Sequence, residues 1–302
     1  MNAVLYAVTV AIWGSTWLAI KGQLGDVHPT LSVFYRFALA AAIMLVYARA
    51  RGLPLAYPAR MHARFALMGA LMFSSNFVLF YFAEQHLATG LVSVVFAMSL
   101  LVNICFARIF FRRRVPAVVL VGGALGLAGI ITVFWPALTA FDPSSGDGLG
   151  ILLACAGTLV FCLGNVVSGK VQAAGVPVVQ STGWAMLYGA VLITPFAAIF
   201  GHGTLYEPTW KYTGCLAYLA VIGSVVGFGT YLTLLGRIGG ERAAYATVLF
   251  PVVSLLLSTA FEDFTWTTQD VLGVACILLG NAVALAGPAL LRRRAERSPA
   301  VT

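Results

Sequence analysis

The chain has 302 residues, of which 61% are hydrophobic and 9% charged, and its mean hydropathy is +0.94. A soluble domain is about 45–50% apolar and about 25% charged, so this composition excludes a soluble fold and predicts a polytopic membrane protein. The formal net charge of +8 would suggest a nucleic-acid partner in a soluble protein. In a membrane protein it predicts basic cytoplasmic loops instead, and we expect no nucleic-acid partner.

Motifs that carry catalytic or metal chemistry are missing from the sequence. The cysteines lie in apolar runs without a CxxC pair and the histidines are scattered, so neither disulfides nor a metal site is expected. A Walker A sequence, a Ser/His/Asp set and paired carboxylates are also missing, which argues against an enzyme and against a cofactor. Because the N-terminus lacks a basic n-region, we expect a first membrane span there rather than a cleaved signal peptide.

In chain order, ten apolar runs approach the length of about 20 residues that a helix needs to cross the bilayer. Turn residues separate these runs, and no connection is long enough to hold a soluble domain. The sequence therefore predicts an all-α integral membrane protein with ten transmembrane helices, at 3–20, 29–48, 65–84, 90–108, 116–135, 149–168, 178–200, 212–235, 242–260 and 269–290.

The distribution of basic residues predicts the orientation of these spans. All of the 18 lysines and arginines except Lys21, Lys211 and Arg36 fall on one side or in the C-terminal segment. Loops rich in Lys and Arg stay in the cytoplasm. We therefore expect a multi-pass protein of the plasma membrane, in a bacterium the inner membrane, with both termini in the cytoplasm.

The chain repeats itself. Residues 87–131 match 238–282 without a gap, so that Gly129 falls on Gly280. Each half has an odd number of spans, so the second half must be inverted, which is typical of transporters; a duplication without transport is the alternative. We expect a first five-helix repeat at 1–136, an extracytoplasmic linker at 137–148, a second repeat at 149–290 and a basic cytoplasmic tail at 291–302.

Several motifs resemble those of one transporter family. They are WGSTW at 13–17, the lysines Lys21 and Lys170 that close spans one and six, and Pro29 and Pro177 at the start of spans two and seven. With the spaced glycines of spans five and ten, they resemble the drug/metabolite transporter superfamily, in particular its EamA-type branch and the exporters of aromatic amino acids within it. The resemblance implies export of amino acids or related small metabolites through a central cavity, with spans five and ten at the periphery. The partners implied are a small-molecule substrate and membrane lipid.

Polar or glycine interruptions at matched positions of two halves indicate a transporter site. When Lys21 is aligned with Lys170, Thr16 falls on Asn165, and Gly14 and Gly164 lie beside them. We expect Thr16 and Asn165 to line the cavity and the two glycines to act as gate or hinge, although small residues also serve plain helix packing. Trp17 is expected in the cavity wall, with an interfacial anchor as the alternative.

Span three carries a polar cluster at mid-depth, where polar groups face protein or water rather than lipid. Its Asn76 and Phe80 share a face and are expected to line the cavity, with an interhelical hydrogen bond of Asn76 as the alternative. In span four, Met98 and Ser99 are further candidates for the lining, with core packing as the alternative. The second half adds the candidates Trp184, Tyr231 and Tyr245.

The remaining expectations concern a proline and four charges. Pro251 lies in the middle of span nine and is expected to kink or hinge that helix. Lys21, Arg36, Lys170 and Glu84 are expected to mark the ends of the transport pathway, because charge within a membrane is costly and functional. Snorkelling to the headgroups is the alternative for the basic residues, and a substrate-carboxylate or gating role is open for Arg36.

The function predicted is export of neutral amino acids with apolar or aromatic side chains by alternating access. No Asp or Glu lies near the middle of a span, so we expect a facilitator that draws on the gradient of its substrate. A multidrug or purine-type exporter is the alternative within transport, and a channel-like or receptor module is the alternative outside it. Monomer and homodimer both remain open, since glycines in spans five and ten fit packing within the chain or between two copies.

Overall fold

The computed structural model describes residues 2–111, 117–139, 146–200, 204–238 and 245–297. This part of the chain forms ten helices, and its β-structure is limited to one isolated bridge between Val27 and Thr204. In the first half the helices are α1 (Asn2–Gln23), α2 (Pro29–Ala50), α3 (Ala59–Ala70, then a π-helical segment Leu71–Ser75, then Asn76–Ala83), α4 (Thr89–Phe96 and Ser99–Phe111) and α5 (Ala117–Thr139). In the second half they are α6 (Asp147–Ala173), α7 (Val178–Phe200), α8 (Trp210–Ala217, then a π-helical segment Tyr218–Val226, then Gly227–Ile238), α9 (Tyr245–Phe261) and α10 (Thr268–Arg297).

The ten helices correspond to the ten predicted spans. Seven are long and apolar enough to cross a membrane, and α5, α9 and α10 each contain a shorter apolar stretch. The all-helical membrane fold predicted from the sequence is thereby confirmed.

Some helix ends differ from the predicted bounds. The structure begins α3 at Ala59, before the predicted residue 65, and continues α10 to Arg297, into the segment predicted as a tail. The added turns carry charged residues such as Arg60 and Arg64. Apolarity marks where a helix lies in the hydrocarbon region, whereas the helix itself extends beyond it.

Local sequence signals explain several helix ends. Pro29 occupies the first turn of α2, and the His28 side chain accepts a hydrogen bond from Thr30 N at 3.4 Å. At the start of α10, Asp270 Oδ2 accepts from Thr267 N at 2.9 Å and Thr267 Oγ1 accepts from Asp270 N at 3.2 Å, which forms a capping box. Gly175, with φ of 82°, follows α6 in the left-handed conformation that ends many helices.

The packing of the helices is symmetric under exchange of the two halves. Helix α1 of the first half packs on α8 and α9 of the second half. Its equivalent, α6 of the second half, packs on α3 and α4 of the first half. The pairs α2·α7 and α5·α10 join equivalent helices to each other. The offset that relates 87–131 to 238–282 also places Leu71–Ser75 inside the second π-helical segment. The chain is therefore built from two inverted five-helix repeats, each with a π-helical segment at the same position.

Helices α5 and α10 pack on each other through glycines. A Cβ added to Gly280 would lie 2.5 Å from the carbonyl oxygen of Gly122, and one added to Gly129 would lie 2.5 Å from that of Gly273. Only glycine permits so close an approach of two backbones, as in other membrane helix pairs. These glycines therefore pack within the chain, and that face is covered by the chain itself.

We expect Gly280→Ala to destabilise the protein, because its methyl group overlaps backbone atoms of α5 and overpacking costs about 1–3 kcal/mol. Gly229→Ala is the matched control, since a Cβ at Gly229 meets nothing within 4 Å. Thermal unfolding in detergent measures the difference. Equal melting temperatures for the two variants would contradict this account of the α5–α10 contact.

Candidate substrate cavity

A cavity lies where the two halves meet, and side chains from seven helices line it. Its volume, counted as space open to the centre of a water molecule, is about 40 Å³. One water needs about 10–15 Å³ on that measure, so the cavity exceeds a single water site. The lining residues are Trp13, Thr16, Trp17 and Ile20 of α1, Arg36 of α2, Asn76, Phe77 and Phe80 of α3, Phe96 of α4, Phe161 of α6, Phe228 of α8 and Phe250 of α9.

Aromatic rings form most of the wall. Around Trp17, Phe80 and Phe96 have ring centroids at 5.2 and 5.4 Å, and Phe96 contacts Phe161 of the second half at 5.0 Å. On the other side, Trp13 meets Phe228 at 4.9 Å. Edge-to-face and tilted contacts at these distances are favourable and hold the rings in place. The wall is thus rigid, apolar and shared between the halves.

The two π-helical segments bring polar groups to this wall. Asn76 directly follows the segment in α3, and Ser224 lies within the segment in α8, where its hydroxyl donates to Leu219 O at 2.9 Å. Trp13 Nε1 donates to Gly223 O at 3.1 Å in the same segment. π-helical turns are rare and occur frequently at functional sites. Here they place Asn76 in the lining and give two other lining residues an acceptor: Gly223 O for Trp13 and Ser224 Oγ for Arg36.

Arg36 places a positive charge at this cavity. Its side chain is 2% exposed, its Nε donates to Ser224 Oγ of the second half at 3.1 Å, and its guanidinium carbon lies 4.4 Å from the Phe77 ring centroid. The residue therefore points into the protein, and of the two alternatives left open by the sequence, snorkelling does not describe its position. A cation over an aromatic face is stabilised by the ring quadrupole.

Several polar atoms of the lining have no hydrogen-bond partner among the described residues. They are Trp17 Nε1, Asn76 Nδ2 and Oδ1, and Arg36 Nη1. Buried polar groups are nearly always hydrogen-bonded in proteins, because leaving one unpaired costs about 1–3 kcal/mol. Unpaired donors and an acceptor gathered around one cavity are what a site needs in order to bind a small polar group.

The helices close over the cavity at the end of the bundle that contains Lys21, Glu84, Thr89 and Glu262, which we call the Lys21 end. There Lys21 Nζ donates to Glu84 O at 2.6 Å, and Glu262 accepts from Thr89 N at 3.2 Å. Glu262 also accepts from the hydroxyls of Thr89 and Ser258. These bonds tie α4 to α9, and so tie one half to the other.

The contact between α4 and α9 continues from the Lys21 end toward the cavity. Ser93 of α4 hydrogen-bonds Ser254 of α9, and Gly90 lies against Leu255, with only 2.5 Å between an added Cβ and the Leu255 side chain. Small and hydroxyl-bearing side chains let two membrane helices approach closely. The Lys21 end is thus closed by contacts between the halves.

The model of one family matches residues 1–135 and 148–286, one segment in each half. The chain belongs to the EamA-like transporter family. This EamA-like transporter is 27% identical over 299 residues to the Escherichia coli (strain K12) protein called uncharacterized inner membrane transporter YedA, with 98% of this chain and 94% of that protein covered. The match confirms the family resemblance of the sequence motifs.

Two further relatives have names that mention amino acids. A probable amino-acid metabolite efflux pump of the same E. coli strain is 27% identical over 292 residues, with 92% of this chain and 93% of that protein covered. A probable terminal-alkyne amino-acid exporter of Streptantibioticus cattleyicolor is 25% identical over 301 residues, with 95% and 92% covered. A solved crystal structure with 20% identity superposes at a TM-score of 0.70 over 98% of both chains, which supports the fold.

The structure brings five of the predicted site residues of this EamA-like transporter to the cavity: Thr16, Trp17, Arg36, Asn76 and Phe80. Sequence reasoning had not selected the phenylalanines Phe161, Phe228 and Phe250, which complete the wall from the second half. Phenylalanine occurs in most of the predicted spans, so no signal in one sequence separates a cavity ring from a core ring.

The structure places five other candidates outside the lining. Met98 faces Gly126 of α5, Ser99 O accepts from Cys162 Sγ, Asn165 donates to Asn103, Trp184 donates to Leu55 O beside His62, and Tyr231 packs on Trp13 from behind the wall. The side chains of Met98, Asn165, Trp184 and Tyr231 each have a partner within the protein, and Ser99 is 1% exposed. These positions fit packing between helices, which was the alternative for Met98, Ser99 and Asn165. Tyr245 begins α9, and its side chain lies outside the described residues.

The gate or hinge candidates Gly14, Gly164 and Pro251, and the pathway-end candidate Lys170, lie outside the cavity lining. Gly14 lies against Val253 of α9, where an added Cβ would be 2.5 Å from the Val253 side chain. Gly164 lies against Met72 in the π-helical segment of α3, where an added Cβ would be 3.0 Å from the Met72 side chain. Both permit close contact between the halves. Pro251 is buried within α9, and the exposed Lys170 extends its ammonium group to 5.6 Å from the Phe110 ring centroid.

We expect Asn76→Ala to reduce transport at least tenfold while leaving the melting temperature unchanged or raised. The amide has no partner among the described residues, so its removal breaks no hydrogen bond and relieves unpaired buried groups. Ser75→Ala, at an exposed neighbouring position, is the control and should affect neither. A melting temperature lowered by several degrees in Asn76→Ala alone would show instead that Asn76 holds helices together.

Proposed function

We propose that this transporter exports neutral amino acids with apolar or aromatic side chains, or closely related small metabolites, without altering them chemically. One observation carries the proposal: an aromatic cavity between the halves that gathers unpaired polar groups. The names of two relatives, an amino-acid metabolite efflux pump and an amino-acid exporter, point to the same class of substrate. Sugar phosphates suit this cavity poorly, because they require several basic side chains and the lining contains only Arg36.

The mechanism we propose is alternating access. The two repeats, taken as 1–136 and 149–290 with a linker at 137–148, exchange conformations, so that the cavity opens to one side and then to the other. The bias of basic residues supports cytoplasmic termini in a bacterial inner membrane. With that orientation the Lys21 end faces away from the cytoplasm, and the described conformation is closed on the outer side.

The proposed driving force is the gradient of the substrate itself. No acidic side chain is among the lining residues. Glu84 is the carboxyl group to consider for proton coupling, because it is 0% exposed and neither of its oxygens has a hydrogen-bond partner among the described residues. Since it lies at the Lys21 end rather than in the lining, the facilitator is the simpler account.

The direct test is counterflow of labelled L-phenylalanine in proteoliposomes that contain the full chain. We expect counterflow, which a channel does not support, and no accumulation when only a pH step is applied. Trp17→Ala should lower the rate at least tenfold because it removes one wall of the cavity, whereas Trp210→Ala, at a residue 94% exposed, should match the unaltered protein.

Two results would contradict this account in different ways. A pH step that drives accumulation on its own would replace the facilitator by a proton-coupled carrier, and Glu84→Gln would then identify the coupling group. Flux of every amino acid without counterflow would indicate a channel-like module.

Alternating access requires the Lys21 end to open. We expect the double variant Ser93→Cys, Ser254→Cys, in a background without the native cysteines, to cross-link under oxidation and to stop transport until a reductant is added. The two hydroxyls are already in contact, so the sulfur atoms fall within reach of each other. The two single-cysteine variants are the controls. Unchanged transport by the cross-linked protein would show that this end does not open during the cycle.

A further inference from the structure

The positive charge of Arg36 is not neutralised by any other residue that lines the cavity. Arg36 is the one charged residue among the lining residues, and its Nη1 lacks a partner among the described residues although the group has five N–H donors. A guanidinium remains protonated under all physiological conditions. A buried charge without a partner is strongly unfavourable, and an intramembrane charge that persists is functional by default.

The carboxyl group of Glu84 does not hydrogen-bond this cation. Glu84, at the end of α3, acts on Arg36 electrostatically, but neither of its oxygens has a hydrogen-bond partner among the described residues. The guanidinium instead uses Ser224 Oγ and the hydroxyl of Tyr81 as neutral acceptors. It also lies over the rings of Phe37 and Phe77, which are neutral as well. The side of the guanidinium with Nη1 therefore still has a free donor for an anion.

Two further donors belong to the same cavity. Asn76 Nδ2 and Trp17 Nε1 are both unpaired among the described residues. Arginine binds carboxylates with two parallel hydrogen bonds when geometry permits, and additional neutral donors strengthen the binding. In contrast, the acceptors of the lining are neutral, so an ammonium group finds rings and an amide oxygen but no countercharge.

We infer that Arg36 and Asn76 bind the carboxylate of the transported molecule, and that the substrate class is a monocarboxylate with an aromatic or large apolar body whose amino group is dispensable. The inference rests on the proposed function, since it assigns recognition within the same cavity. The aromatic wall takes the apolar body, and the charge of the substrate cancels that of Arg36. Amines that lack a carboxylate are excluded, because they would add a second positive charge to the cavity.

The experiment compares three ligands of the same shape on the purified full chain. They are L-phenylalanine, 3-phenyllactate, in which a hydroxyl replaces the amino group, and 2-phenylethylamine, which lacks the carboxylate. Thermal shift measures binding, and inhibition of labelled L-phenylalanine counterflow measures competition. We expect the concentration of 3-phenyllactate that gives a half-maximal effect to lie within about threefold of that of L-phenylalanine. The amine should require a concentration at least tenfold higher than L-phenylalanine.

Variants of Arg36 test the assignment to this residue. Arg36→Gln should abolish the thermal shift by both acids, and Arg36→Lys, which keeps the charge but loses the planar fork, should retain a weakened shift. Arg49→Gln, at an exposed position near the end of the same helix, is the matched control and should leave both ligands unaffected. Because the ligand comparison uses the unaltered protein, it remains decisive even where Arg36→Gln does not fold.

The possible outcomes separate the inference from the proposed function. Equal potency of the amine and the acids, or undiminished binding of the acids to Arg36→Gln, would overturn the carboxylate site while amino-acid transport stands. Transport of 3-phenyllactate that depends on Arg36, without transport of any amino acid, would support the site and remove amino acids from the proposed function. Failure of both acids to bind the unaltered protein would overturn both.

Discussion

The burial of Arg36 between the two halves is the feature on which the rest of the site depends. A charge in this region must be satisfied within the protein, because the surrounding lipid offers neither water nor a counter-ion. The guanidinium from α2 is held by Ser224 of α8 and by the Phe77 ring of α3. The first repeat thus supplies the charge and the second repeat supplies its hydrogen-bond acceptor. A movement of one repeat against the other must therefore change the environment of Arg36.

The π-helical segments explain how a polar site arises in such apolar helices. Both interrupt their helices at the same position of the repeat. The first places Asn76 in the cavity lining, and the second places Ser224 against Arg36 of that lining. The symmetry is not complete, because only one half carries the arginine. The cavity between the two related halves is therefore asymmetric, with its one charged lining residue in the first half.

The sequence predicted the architecture well because its signals were physical and repeated. Apolar length marked the spans, and the alignment of Gly129 on Gly280 indicated that the halves were related. Polar residues within the spans, Arg36 and Asn76 above all, were found because a polar group in the membrane is conspicuous. The phenylalanines of the wall were missed, because an aromatic residue at mid-span looks the same in a core and in a cavity.

A single sequence also does not show which polar side chains hydrogen-bond to each other. Asn76 and Asn165 are the same residue type within predicted spans, yet Asn165 hydrogen-bonds Asn103 and Asn76 has no partner among the described residues. Only the structure separates a polar group that joins helices from one available to a ligand.

The central claim is that the substrate binds in the cavity between the repeats. The most direct measurement is a crystal structure of the complex with 4-bromo-L-phenylalanine, in which the anomalous signal of bromine locates the ring. The account predicts a bromine peak within the aromatic wall around Phe96 and Phe161, with the carboxylate beside Arg36. A bromine peak on the lipid-facing surface, with no ligand between the repeats, would contradict it.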